Sequence, residues 1–329
     1  MDKQTIVFAR RFLRGHMPKS TAIARGLASN IPSLDRIMHT SIKTSSPRYC
    51  YSVWLRHLCK AHEYGLPTHP ATVAEIGPGG SLGVGISALL SGANRYYALD
   101  IVEHIADVKI VETFEELCKL FSTHAKIPDK EEFPKVKPDL ATYSFPRKIL
   151  TENRLAETLE IARVLAIRNA ISSIGNKEGQ IQISYVVPWM DLSSLEEASL
   201  DILLSQAVLE HVDDIESAYR AFYHWLKPGG FMSHQIDFRC HDVAREWNGH
   251  WTYSDFTWRL IKGQRPYLIN RYPYSMHISI MREVGFEIIA EERVKAHSKI
   301  QRRRLADRFQ SLSNDDLTTR SAHILALKR

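Results

Sequence analysis

The sequence predicts an α/β fold in which a doubly wound, mostly parallel sheet carries helices on both faces. The β-branched run Thr72–Ile76 leads at once into a glycine-rich turn and then into an apolar, helix-like segment. A second strand pattern, Arg95–Asp100, ends in a carboxylate and completes a βαβ unit with a parallel strand pair. Strand and helix patterns continue to alternate after this unit, which is typical of a parallel sheet covered by helices.

The later patterns complete a Rossmann-like sheet of about seven strands. A helix pattern from Asp214 to Trp225 stops at the sequence Lys-Pro-Gly-Gly, and a strand pattern follows directly. The strands after the βαβ unit are predicted at residues 181–185, 201–205, 231–237, 285–290 and 322–327.

Two segments outside this alternation are predicted to be helical. Residues 1–70 form an N-terminal helical extension, in which the clearest helical pattern begins at Tyr51, and residues 71–329 form the α/β domain. Within that domain, residues 102–179 are rich in charged residues and helix formers and are interpreted as a helical insertion. We expect the extension and the insertion to cover the functional site as a lid.

The composition fits a globular protein with a substantial core. The chain has 329 residues, of which 44% are hydrophobic. Its formal net charge of +6 only mildly favours acidic partners. The dense basic run, Arg302–Arg304, is more typical of a solvated helix face than of a nucleic-acid site, so we expect no nucleic-acid partner.

The cysteines and the apolar segments predict a cytoplasmic protein without a membrane span. The four cysteines form neither a CxxC pair nor the close Cys/His sets of structural zinc sites, which favours reduced thiols. The N-terminal residues lack the apolar core of a signal peptide, and no stretch of about 18 apolar residues occurs. The sequence makes no prediction of the oligomeric state.

The glycine turn and the carboxylate after the second strand indicate a site for a ribose-containing cofactor. A glycine turn before a helix lets a ligand approach backbone N–H groups closely. The carboxylate of Asp100 can accept hydrogen bonds from both ribose hydroxyls, which occur in S-adenosylmethionine (SAM) and in nicotinamide cofactors. Pro78 and Ser81 break the GxGxxG spacing of dinucleotide enzymes, but the turn alone does not decide between the two cofactors.

The order of the motifs resembles that of the class I SAM-dependent methyltransferase family. The string AEIGPGGSLG resembles the first motif of the family, and YYALD resembles its ribose-binding strand end. The segment Trp189–Asp191 and the pair DILLSQAVLEHV and WLKPGGF extend the resemblance, and that pair is the most specific part. The resemblance covers most of residues 72–329 and implies a seven-stranded sheet whose last strand is antiparallel.

The resemblance also implies which residues bind SAM. By this resemblance, Glu75, Gly77 and Gly79 shape the pocket for the amino-acid end of SAM, and Asp100 binds the ribose. Met190 and Asp191 flank the adenine, and Ser205 and Gln206 line the methionine side. Taken singly, the glycines also fit an ordinary tight turn, and Met190 fits an ordinary core position.

Three residues near the end of the fifth predicted strand are candidates for catalysis. Open α/β sheets bind their ligands at the carboxyl ends of the strands, where His234 and Asp237 are predicted to lie. His241, on the loop beyond, is our first choice of general base for a hydroxyl acceptor. Alternatively, these histidines only complete the hydrogen bonds of a loop.

A metal site and a role for the pair Glu210-His211 are the less favoured interpretations. A histidine that opens a helix can cap it or pack against it, and we favour such a structural role for this pair. Two histidines and one aspartate within residues 234–241 could hold a divalent ion, but their convergence does not follow from the sequence. We therefore expect direct methyl transfer without a metal.

The acceptor is predicted only by class. Residues 247–274 combine aromatic side chains with arginines, so they either form the floor of an acceptor site for sugars or heterocycles or pack as a small separate core. This region is similar to uncharacterised bacterial methyltransferases of surface-polysaccharide or secondary-metabolite pathways. The similarity implies a small-molecule or saccharide acceptor that is methylated on a hydroxyl oxygen.

Two other classes of function remain as alternatives. A nicotinamide-dependent oxidoreductase shares the glycine turn and Asp100, but no Tyr-x-x-x-Lys pair is evident for hydride transfer. A non-catalytic module with the SAM-binding fold would regulate or scaffold a partner, although such a module would tolerate the loss of Gly77, Gly79 or Asp100. A nucleic-acid amino-methyltransferase is disfavoured because LLSQAV stands where the NPPY-type motif would be.

Overall fold

A mixed seven-stranded sheet organises the protein. The structure is a computed structural model that describes residues 18–29, 46–103, 109–265 and 268–329. The strands are β1 (Thr72–Ile76), β2 (Arg95–Leu99), β3 (Gln182–Val186), β4 (Leu200–Gln206), β5 (Leu226–Asp237), β6 (Phe286–Lys295) and β7 (Thr319–Lys328). Their order across the sheet is β3-β2-β1-β4-β5-β7-β6.

The strand directions confirm the predicted doubly wound fold. Strands β1 to β5 pair in parallel with their neighbours. Strand β7 lies between β5 and β6 and is antiparallel to both. A parallel pair needs a crossover connection, and helices supply these crossovers on the two faces of the sheet.

Capping residues explain where several of the helices begin and end. Ser46 accepts a hydrogen bond from the backbone N–H of Tyr49 before α2, and Asp214 does the same for Ser217 before α7. Gly285, in the left-handed conformation, ends α9. The α-helices of the described residues are α1 (Pro18–Ala28), α2 (Pro47–Glu63), α3 (Gly83–Leu90), α4 (Ile110–Ser122), α5 (Glu152–Thr158), α6 (Ile161–Ser172), α7 (Ile215–Trp225), α8 (Asp255–Lys262), α9 (Tyr274–Val284) and α10 (Asn314–Thr318).

The sheet has an apolar core on each face. Helices α2, α3, α4 and α6 contribute to the core on one face, where Trp54 and Phe121 are fully or almost fully buried. Helices α7 and α9 cover the other face, where Phe222 and Met281 are fully buried. This apolar area, removed from water on both faces, stabilises the sheet.

Helix α2 belongs to the core, although it lies in the predicted N-terminal extension. Most of its residues are buried, and the guanidinium group of Arg56 is fully enclosed. Arg56 donates hydrogen bonds to the backbone oxygens of Pro128, Val136 and Pro138, at 2.7–3.1 Å. The extension and the insertion are therefore fastened to each other. Residues 1–17 and 30–45 of the extension, and 104–108 of the insertion, lie outside the described residues.

Buried histidines form hydrogen bonds on both faces of the central strands. On one face, the hydroxyl of Ser233 lies 2.6 Å from Nδ1 of His57 and 3.0 Å from Nε2 of His323. On the other face, Nδ1 of His277 lies 2.8 Å from the hydroxyl of Tyr219. Burial lowers the pKa of His57 to about 4 and that of His277 to about 3.

We predict that the free energy of unfolding falls as the pH is lowered from about 6.5 to about 4. In the unfolded chain these histidines bind a proton near pH 6.5, whereas in the folded chain His57 binds one only near pH 4. The unfolded state therefore holds more protons in this window, and each unit of pKa difference corresponds to about 1.4 kcal/mol. Urea unfolding at several pH values measures the decline. His57→Gln should make it shallower, and the partly exposed control His224→Gln should not; identical slopes in all three would contradict the prediction.

Candidate active site

The glycine turn after β1 adopts a backbone conformation that suits glycine. Gly77 and Gly79 have φ angles of +67° and +63°. A Cβ atom added at Gly77 would lie 2.7 Å from the side chain of Val208, so the turn packs closely against the segment that follows β4. A Cβ atom added at Gly79 would meet no atom within 4 Å, so there is open space beside this part of the turn.

Asp100 lies where the sequence predicted a ribose-binding carboxylate. One of its oxygens accepts a hydrogen bond from the backbone N–H of Gly79 at 3.3 Å, and the other accepts one from Ile101 at 2.8 Å. These bonds hold the carboxylate beside the open turn. The turn and Asp100 together offer backbone N–H groups, space and an acceptor for hydroxyl groups, which fits the ribose and the amino-acid end of SAM.

Glu75 contributes to this region from within the sheet. Its carboxyl group is buried and accepts a hydrogen bond of 2.7 Å from the hydroxyl of Tyr96. Burial raises the pKa of Glu75 to about 8, although the bond from Tyr96 opposes that rise. In the structure this carboxyl group is a hydrogen-bonded part of the wall beneath the turn.

Met190 and Asp191 lie at the surface after β3. Met190 is 43% exposed, so it does not occupy the ordinary core position that was the alternative prediction. Asp191 accepts hydrogen bonds of 2.8 Å from the backbone N–H and the hydroxyl of Ser193. An accessible apolar side chain next to a fixed carboxylate can contact a flat heterocycle such as adenine.

Ser205 and Gln206 at the end of β4 are held by internal hydrogen bonds. The hydroxyl of Ser205 lies 2.7 Å from Nδ1 of His234, and the side-chain oxygen of Gln206 lies 3.2 Å from Nε2 of His57. Ser205 and His234 are completely buried. The side chain of His234, a predicted catalytic candidate, is therefore closed off from solvent, and its hydrogen bond with Ser205 lies inside the protein.

His241 and Asp237 form a pair just beyond β5. Nε2 of His241 lies 3.3 Å from a carboxylate oxygen of Asp237, and the imidazole is 31% exposed. Arg239 binds the same carboxylate with hydrogen bonds of 2.8 Å to both of its oxygens. Burial alone would raise the pKa of Asp237, but the bonds from His241 and Arg239 outweigh it and hold the pKa well below its usual range. The pair is therefore an imidazole oriented by an ionised carboxylate.

The structure brings Glu210 and His211 next to His241, which the sequence did not predict. A short 3₁₀ helix, Leu209–His211, follows β4 and carries both residues to the same edge of the sheet. The imidazole rings of His211 and His241 are 5.1 Å apart between centroids. Burial and the charge of Asp237 raise the pKa of Glu210 well above its usual value. The sequence signal was the pair Glu-His directly after a strand, but its convergence with His241 depends on the fold.

The segment of aromatic residues and arginines is largely a small separate core. Trp251, Tyr253 and Trp258 are buried. The guanidinium carbon of Arg271 lies 4.8 Å from the ring centroid of Trp258, and its NH1 donates to the backbone oxygen of Tyr253 at 2.7 Å. Of the two predicted alternatives, the packing role accounts for these side chains. Phe256, in contrast, is 65% exposed.

In the ranges that the structure describes, no helix combines the length and the apolar character that crossing a membrane requires.

Comparison with known proteins finds similarity to methyltransferases. A family model described as a methyltransferase domain matches residues 150–233, and no curated protein matches the chain. A SAM-dependent methyltransferase from Methanosarcina mazei is 14% identical, with 82% of this chain and 96% of that chain covered and a TM-score of 0.41. One from Mesorhizobium loti is 12% identical, with coverage of 82% and 97% and a TM-score of 0.39.

Another similar structure contains a bound cofactor. Phosphoethanolamine N-methyltransferase 2 of Haemonchus contortus, solved in complex with S-adenosyl-L-methionine, is 12% identical to the chain. The alignment covers 87% of this chain and 58% of that one, with a TM-score of 0.41.

We predict that Tyr96→Phe destabilises the fold by about 1–3 kcal/mol, because it removes the hydroxyl that the buried carboxyl group of Glu75 accepts from. The matched control is Tyr97→Phe, on the opposite face of the same strand. Urea denaturation of both variants measures the difference. Equal losses of stability would contradict the structural role given to the Tyr96–Glu75 bond.

Proposed function

We propose that the chain is a class I SAM-dependent methyltransferase and that it methylates a hydroxyl oxygen of a small-molecule or saccharide acceptor; the matching domain and the strand order support the first part. The observation that carries the proposal is the His241–Asp237 pair at the carboxyl end of β5. Because β1, β4 and β5 run in parallel, this pair and the glycine turn lie at the same edge of the sheet. A cofactor at the turn and a base on the loop can therefore act on one acceptor.

The residues around the turn fit SAM. A bound SAM would supply a methyl group on a positively charged sulfur; the acceptor oxygen would bond to this methyl carbon as the carbon–sulfur bond breaks and its electron pair stays on the sulfur. Because Gly77 and Gly79 have no side chains, the amino-acid end of SAM can approach the backbone of the turn. Asp100 offers hydrogen-bond acceptors to the ribose hydroxyls. Met190 and Asp191 offer an apolar contact and an acceptor to the adenine.

His241 is the residue we assign to proton removal. Its Nε2 faces Asp237, so this nitrogen carries the hydrogen in the bond and Nδ1 is left to accept a proton from the acceptor hydroxyl. Arg239 keeps Asp237 ionised, which fixes the tautomer and supports the positive charge on the imidazole after proton transfer. A hydroxyl acceptor needs such a base, whereas the transfer itself mainly needs alignment of oxygen, carbon and sulfur.

We predict that Asp100→Ala weakens SAM binding about 10- to 100-fold while the fold is retained, because hydrogen bonds to a charged acceptor contribute about 1.5–3 kcal/mol. Calorimetric titration with SAM measures the affinity, and circular dichroism checks the fold. The exposed carboxylate Glu178 provides the control Glu178→Ala, which should bind as the wild type does. Titration with NAD in parallel tests the alternative cofactor. An unchanged affinity in Asp100→Ala would remove this residue from the SAM site.

We predict that His241→Ala leaves SAM affinity unchanged and lowers turnover about 10²- to 10⁴-fold, the usual contribution of a general base. Formation of S-adenosylhomocysteine, measured against a panel of sugars and hydroxylated small molecules, gives the turnover. His297→Ala is the matched control, because this histidine is exposed and lies after β6. Full turnover in His241→Ala with any accepted substrate would contradict the assignment.

A further inference from the structure

We propose that Glu210, His211 and His241 form a binding site for a divalent transition-metal cation such as Zn²⁺. Each of the three residues offers one ligand atom, and these atoms all lie within 4.8 Å of one another. Two imidazoles and one carboxylate are a ligand set that suits such cations. The proposal concerns binding alone and does not depend on the identity of the cofactor or the acceptor.

The fold fixes the position of all three ligands. Glu210 and His211 lie in the 3₁₀ helix directly after β4. His241 follows β5, the parallel neighbour of β4, and has a φ angle of +45°, an uncommon backbone conformation for a residue other than glycine. The short connection after each strand therefore delivers the ligands to one place at the edge of the sheet.

Glu210 is the observation that points to a cation. Its side chain is 3% exposed, and neither carboxylate oxygen has a hydrogen-bond partner among the described residues. A buried carboxyl group without partners is unfavourable, and buried charges are normally paired or bound to metals. A divalent cation between Glu210 and the two imidazoles would supply the missing partner.

Asp237 orients His241 as metal-binding histidines are usually oriented. A ligating histidine almost always donates its other ring N–H to a carboxylate or a carbonyl oxygen. Nε2 of His241 faces the carboxylate of Asp237 at 3.3 Å, so Nδ1 is the nitrogen available to a cation. Arg239 binds that same carboxylate, which keeps Asp237 in the supporting role and out of the ligand set.

The ligand set also indicates which cation to test. Imidazole nitrogens suit zinc, copper, iron and nickel, whereas Mg²⁺ prefers oxygen ligands and keeps several waters. Three protein ligands leave a coordination position open, as in catalytic zinc sites. A cation bound at Nδ1 of His241 and a proton accepted there exclude each other, so the general-base role assigned to His241 applies to the metal-free chain.

The test is equilibrium dialysis of the chelator-stripped, full-length chain against Zn²⁺ and, separately, Mg²⁺, followed by elemental analysis. We expect about one Zn²⁺ per chain and no comparable binding of Mg²⁺. Glu210→Gln and His241→Ala should each abolish this binding or weaken it at least about 10-fold, and Asp237→Asn should weaken it about 10- to 100-fold through the orientation of His241. His297→Ala should bind Zn²⁺ as the wild type does.

A second readout makes the result independent of adventitious zinc. Co²⁺ bound by two imidazoles and a carboxylate gives visible absorption bands, which should appear in the wild type and disappear in His241→Ala. Equal Zn²⁺ binding in the wild type, Glu210→Gln and His241→Ala would overturn the proposal. Circular dichroism verifies folding, and His241, which is partly exposed, provides the variant if Glu210→Gln does not fold. SAM binding is titrated on the metal-free chain, so the failure of one proposal is distinguishable from the failure of the other.

Discussion

The parallel register of β1, β4 and β5 is the constraint on which the candidate site depends. Ile76 pairs with Ser205, and Ser205 pairs with His234, so these strands are level near their carboxyl ends. The connections that follow therefore leave the sheet at one edge, as the ligand sites of open α/β sheets require. The glycine turn, the Glu-His pair and the His241 loop are near one another for this reason, although they are far apart in the sequence.

A difference of a few residues along β5 separates a structural histidine from a functional candidate. His234 lies within the strand, where its side chain is enclosed by the core and bonded to Ser205. His241 lies beyond the end of the strand, where its imidazole is partly exposed and bonded to Asp237. Both histidines have a polar partner, so hydrogen bonding does not distinguish them. Access to solvent does, and access depends on where the sheet ends.

Much of the fold could be predicted from the sequence because strand and turn signals are local. The run Thr72–Ile76 was predicted with the bounds that the structure shows, and the second strand was predicted one residue too long, since Asp100 follows the end of β2. Burial was harder to predict, since the exposure of Ser205 and His234 depends on what packs against their face of the sheet. The meeting of Glu210 with His241 could not be predicted, because it requires both the register of β4 and β5 and the uncommon backbone at His241.

The two carboxyl groups near His241 differ in how their charge is balanced. Asp237 receives hydrogen bonds from the guanidinium of Arg239, so it can remain ionised in a largely buried place. Glu210 is as deeply buried, and burial together with the like charge of Asp237 raises its pKa, although the charge of Arg239 opposes that rise. An imidazole nitrogen that carries a lone pair cannot donate a hydrogen bond to a carboxylate, but the two groups can bind the same cation. The edge of the sheet thus holds one carboxylate that orients His241 and a second carboxyl group whose oxygens have no hydrogen-bond partner among the described residues.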